Sequence, residues 1–124
     1  MTFTVDTKAM KDVYVETLIE IAKKDERIVV LDADLMNSNS TVEFMKAYPD
    51  RAINVGVQEA NMIGIAAGLA ATGKIPFTHT FSCFNTRRAL DQIYMSVAYG
   101  KLPVCIVGTD PGITAAWHPN YDSS

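Results

Sequence analysis

Three groups of side chains in this 124-residue sequence could do chemistry. Glu59 stands in "NVGVQEANMIGIAAGLA", residues 54–70, where an extended apolar run turns into a helix of small residues. An acid in a first helical turn is stabilised by the dipole, by about 0.3–1 kcal/mol. Buried, the same carboxylate could instead share a proton with a ligand nitrogen. Gly64 and Gly68 lie four apart on that helix, and each costs about 1 kcal/mol against Ala. A close packing partner would offset that cost and leave Glu59 desolvated. The second group is Phe81 and Phe84 in "TFSCFNTRR". They fit core packing, a staple onto the next helix, or a stacking wall for a flat, nitrogen-containing ring. The third is the loop "DADLMNSN", where Asp34 and Asn37 fit helix caps or Asx turns.

The surrounding elements decide whether these groups can meet. Residues 8–24 place Met10, Val13, Tyr14, Thr17, Leu18, Ile21 and Ala22 at helical steps, with Thr7 or Asp6 as candidate cap. Ile28–Leu31 is a continuous apolar run suited to a central parallel strand. A short helix over 41–47, a strand in "RAINVGV", a helix over 58–72 closed by Gly73, and a strand in "KIPFTHTF" follow. A helix over 85–99, with Leu90, Ile93, Tyr94 and Val97 on one face, and a strand in "LPVCIVG" complete the pattern. This order predicts an α/β fold: a mostly parallel sheet with helices on both faces. Ligands of such sheets bind beyond the carboxyl ends of the strands, and all three groups fall there. The last segment, "TDPGITAAWHPNYDSS", has no periodicity of any length and reads as loop.

Composition narrows the function. Net charge −3 and scattered Lys and Arg argue against nucleic acid. No apolar run approaches a membrane span of about 20 residues, and the first ten residues are not a signal peptide. A cytoplasmic protein is the expectation. Cys83, Cys105, His79 and His118 are isolated, so no metal site is expected. Both cysteines read as reduced, buried thiols. Neither phosphate-loop motif nor a nucleophile elbow occurs.

Taken together, "LDADLMNSN", "INVGVQEANMIGIAAGLAATGKIPFTHTFSCF" and "LPVCIVGTDPGIT" resemble the pyrimidine-binding domain of transketolase, from about residue 8 to about residue 114. Deoxyxylulose-phosphate synthase and the pyruvate dehydrogenase E1 β chain also carry an acid at the position of Glu59. The "EAN" and the spacing of Phe81 and Phe84 favour transketolase. The resemblance implies a thiamine diphosphate-binding fold, one pyrimidine-binding domain over 1–124, and a loop or disordered tail at 115–124. It implies that Glu59 hydrogen-bonds N1′ of the cofactor's aminopyrimidine and so activates it. Phe81 and Phe84 would be the aromatic wall, and Asp34 an acid near the cofactor. Ser38 would help hold the substrate phosphate. Lys11 stands where the family usually has an arginine, and supplies charge without a bidentate fork. The implied reaction moves a two-carbon ketol unit between sugar phosphates.

The sequence has no G-D-G motif, so Mg²⁺ and the diphosphate would be held by a partner domain. The start of the chain resembles the C-terminal subunit of a split transketolase, here cut short. A diphosphate-binding partner, a homo- or hetero-oligomer, and no activity alone are therefore expected. Some positions depart from the family. Asp110 stands where a substrate-contacting histidine is usual, Trp117 and His118 replace an E-D pair, and Arg87 replaces a tyrosine or glutamine. The alternatives are a deoxyxylulose-phosphate synthase-like or E1-like subunit, and a non-catalytic assembly module of the same fold.

Overall fold

The computed structural model describes residues 2–112. The tail expected at 115–124, with Trp117 and His118, lies outside the described residues. β1 (Ile28–Asp32) is buried along its whole length. It lies between β2 (Ala52–Asn54) and β3 (Ile75–Phe81), and β4 (Cys105–Thr109) pairs with β3. The order is β2-β1-β3-β4, and every pair is parallel. The chain steps outward to β2, then returns past β1 to form β3. The order thus reverses between β1 and β3, and a crevice opens at their carboxyl ends. Asp32 and His79 are register partners there.

Both faces of the sheet are covered, as expected. On one, Val15, Leu18 and Ala22 of α1 (Met10–Lys24) and Phe44 of α2 (Val42–Ala47) pack on Ile28 and Val30. On the other, Met62 and Ala66 of α3 (Glu59–Ala71) pack on Val29, Leu31 and Ala33. Gly73, at φ +95°, closes α3 in the left-handed region, which glycine enters at little cost.

The structure corrects several expectations. Neither Thr7 nor Asp6 caps α1; Ala9 holds that position. The buried stripe of α1 is also rotated, because the sheet takes Val15, Leu18 and Ala22 and leaves Met10, Val13 and Ile21 exposed. The helix expected over 85–99 begins earlier, as α4 (Ser82–Arg87), and is interrupted at Arg88–Ala89. It resumes as α5 (Leu90–Gln92) and runs into a π-helical turn over Ile93–Ala98. Ala89 at the break is fully buried with Ile63, Ala67 and Val97, so packing against α3 wins over helical continuity. Of the expected face of this helix, only Val97 is buried; Leu90 and Tyr94 are exposed.

The start of α4 is fixed by β4. Ser82 Oγ donates to the Thr109 carbonyl at 3.0 Å. A Cβ on Gly108 would lie 2.7 Å from Ser82 Oγ and 2.9 Å from its Cα, so only glycine allows this approach. Both cysteines are exposed, not buried. Cys83 lies on α4, and Cys105 lies on β4, which among the described residues is an edge strand. Gly64 and Gly68 also lack the expected close partner: among the described residues nothing comes within 4 Å of a Cβ at either.

Candidate functional site

The path to Glu59 runs through Asn54 at the end of β2. Its Oδ1 accepts from the backbone N–H of Gly56 and of Asp34, each at 3.0 Å, and its Nδ2 donates to Asp34 Oδ1 at 3.0 Å. Gly56, at φ +77°, makes the tight turn that follows. Two residues past Gln58's neighbour Val57 the chain enters α3, and Glu59 is its first residue. The Glu59 side chain is only 4% exposed. On the same helix Met62 and Ile63 are buried, while Gly64 and Gly68 are exposed.

A buried carboxylate needs a partner, and Arg88 supplies it. Arg88 Nη1 donates to Glu59 Oε1 at 3.1 Å and to Oε2 at 3.3 Å. The same guanidinium lies 4.0 Å over the Phe84 ring. Phe84 is half-buried, and the buried Phe81 backs it with ring centroids 5.9 Å apart and planes tilted by 37°. The structure therefore brings Glu59 and Phe84 together around one planar N–H donor, with Phe81 behind.

A second cluster fixes the loop after β1. Asp32, fully buried, accepts from the Leu35 N–H at 2.6 Å, Asn39 Nδ2 at 3.0 Å and Thr41 Oγ1 at 2.8 Å. Thr109 Oγ1 donates to Asn39 Oδ1 at 2.6 Å, tying the end of β4 to that of β1. Within this loop Asp34 sits at φ +65° and Ser40 at φ +61°, conformations uncommon outside glycine. Asp34 is exposed and held by Asn54. Lys11 Nζ donates to the Ser38 carbonyl at 2.9 Å, so these two expected substrate residues do meet, through the backbone. Asp34, Asn37, Ser38 and Asn54 line an open cleft of about 340 Å³.

His79, the third feature of the rim, is fully buried. Its Nδ1 lies 3.2 Å from the Leu31 carbonyl and its Nε2 lies 2.8 Å from the Tyr14 hydroxyl. The carbonyl can only accept, so Nδ1 carries the proton and Nε2 accepts from Tyr14. Burial pushes the His79 pKa down and the Tyr14 pKa up. Among the described residues no three His, Cys, Asp or Glu side chains gather into a cation site, and no helix is long and apolar enough to cross a membrane.

Comparison with known proteins matches residues 6–121 to the family described as transketolase, pyrimidine binding domain. The chain belongs to this family. The 6-deoxy-6-sulfo-D-fructose transketolase subunit SqwH of Clostridium sp. (strain MSTE9) is 61% identical over 106 residues, which are 86% of this chain and 33% of that protein. The 1-deoxy-D-xylulose-5-phosphate synthase of Parabacteroides distasonis is 42% identical over 96 residues, 77% of this chain and 15% of that protein. Among solved structures, a split gene transketolase described as an inactive beta4 tetramer superposes with a TM-score of 0.72 at 45% identity. That likeness covers 79% of this chain and 33% of the other. The chain thus spans a third or less of the length of these relatives.

Sequence reasoning missed two members of the transketolase pyrimidine-domain rim. In the sequence Arg88 reads as one of the scattered cations, although it follows Phe84 by four residues, the spacing that stacks side chains on a helix. Asn54 carried no signal beyond its place at a strand end. The Asp32 network was equally hidden, because its partners come from separate segments of chain.

Proposed function

We propose that this chain is the pyrimidine-binding part of a thiamine diphosphate-dependent, transketolase-type transferase, and that Glu59 is the residue that holds a proton at a ring nitrogen of the cofactor. The observation that carries this reading is the Glu59 carboxylate, nearly removed from solvent, receiving a planar N–H donor beside the Phe84 ring. An accepting carboxylate beside an aromatic face suits a protonated aminopyrimidine, which brings its own N–H donor. When bound, thiamine diphosphate supplies the nucleophilic carbon that carries a two-carbon unit from ketose to aldose. The role of this chain is to orient the ring and tune its proton. Phe84 is the stacking face, and Phe81 keeps it in place. Asp34, fixed by Asn54, would be a further acid on the cofactor side of the rim.

Lys11 and Ser38 are read as one pole of the substrate site, set for a terminal anion. The relative named for 6-deoxy-6-sulfo-D-fructose supports either a phosphate or a sulfonate there. The diphosphate and its Mg²⁺ belong to a partner chain, and the active unit is an oligomer.

The test is Glu59→Gln in the complex reconstituted with a diphosphate-binding chain. Loss of the acid–base function lowers kcat by about 100-fold or more, with the complex still assembled. A variant as active as the wild type would remove Glu59 from catalysis. A deoxyxylulose-phosphate synthase-like reading is favoured by the 42% identical relative. It predicts pyruvate as donor in the same assay, where the transketolase reading predicts a ketose.

A further inference from the structure

We propose that the Arg88 guanidinium is an internal occupant of the Glu59–Phe84 cradle, a latch that a planar ring with an N–H donor must displace in order to seat. The inference rests on reading that cradle as the ring site. A guanidinium is flat, cationic and edged with N–H donors, as a protonated aminopyrimidine is. Here it makes both contacts that such a ring would need. Its Nη1 donates to the two Glu59 oxygens at 3.1 and 3.3 Å, and its central carbon lies 4.0 Å over the Phe84 ring.

The two partners differ in freedom. The Glu59 side chain is 4% exposed and that of Arg88 is 49% exposed. Glu59 is the buried first residue of α3, whereas Arg88 follows the last residue of α4, where the helix breaks before Ala89. Arg88 is therefore the part that moves. The exchange keeps the buried carboxylate compensated throughout, because one N–H donor arrives as the other leaves. Leaving that carboxylate without a partner would be costly. The latch also selects among ligands. A flat ring without an N–H donor can stack on Phe84 but cannot replace what Arg88 gives Glu59.

The experiment measures thiamine diphosphate affinity, with Mg²⁺, by calorimetry on the reconstituted complex. Arg88→Met keeps length and loses both charge and N–H groups. Removing an internal competitor should lower Kd by about three- to tenfold. The ratio between wild type and variant should shrink as salt rises, since a half-exposed ion pair is screened. Arg88→Lys, with a point charge and no fork, should fall between them. An unchanged or weaker affinity in a well-folded Arg88→Met complex overturns the latch.

Should Arg88→Met fail to assemble, crystals of the wild-type complex with thiamine diphosphate and Mg²⁺ decide. Arg88 withdrawn from Glu59 supports the latch, and the contact retained overturns it. Neither arm depends on activity. Glu59→Gln inactive with Arg88→Met unchanged in affinity refutes the latch alone. A wild-type complex that binds no thiamine diphosphate overturns both readings.

Discussion

His79 shows how burial turns a titratable side chain into a structural one. It is neutral between Tyr14 and the Leu31 carbonyl. Burial is the leading cause of its lowered pKa, against opposing contributions from Asp32 and from the Leu31 and Phe77 backbone. The unfolded chain protonates this residue first, near the ordinary value of about 6.5. Below that pH the unfolded state binds more protons, so stability falls as pH falls. The expected slope is at most about 1.4 kcal/mol per pH unit. Urea midpoints measured at about pH 7.5 and 5.5 should converge in His79→Gln relative to the wild type. Equal losses in both proteins would assign the acid sensitivity to other groups. At this scale the sequence was informative where residue type alone decides. Glu59 next to an apolar helix, and Phe81 spaced three from Phe84, were legible. Arg88 was not, because its role depends on a carboxylate that packing brings to it from another element.

The elements were mostly legible, since hydrophobic runs and glycine stops mark their limits directly. Their irregularities were not. The helix expected over 85–99 divides because Ala89 packs beneath α3, a long-range contact that periodicity does not record. The rotation of α1 has the same origin: the sheet takes Val15, Leu18 and Ala22, a choice that periodicity within the helix does not record. The close approach of β4 to α4 was likewise invisible, although it fixes the rim residues Phe84 and Arg88. Gly108→Ala tests it. The added Cβ would press on the Ser82 backbone at 2.9 Å, and a clash against backbone in a packed seam costs about 1–3 kcal/mol. Chemical denaturation should show that loss. A neutral result would mean that β4 and α4 separate easily.

At the scale of the molecule, the proposed function divides the cofactor between two chains. The described residues offer a buried carboxylate beside an aromatic face, and among them no three His, Cys, Asp or Glu side chains gather where they could hold a metal ion. The isolated chain should therefore fail to bind thiamine diphosphate with Mg²⁺ at micromolar concentrations, and binding should return on mixing with a diphosphate-binding chain. Calorimetry before and after mixing checks this, and micromolar binding by the chain alone would refute it.

The strand order carries a kinetic consequence. Every neighbour in the sheet is parallel, and β1 meets β3 only after β2 and two helices have been laid down. No hairpin exists among these strands to nucleate the sheet, so each pairing must first close a long loop, and such topologies fold slowly. The central strand, IVVLD, is buried along its whole length, and the edge that β3 covers stays unpaired until β3 has been made. Until β3 arrives, this is the segment on which a newly made chain is most exposed to aggregation.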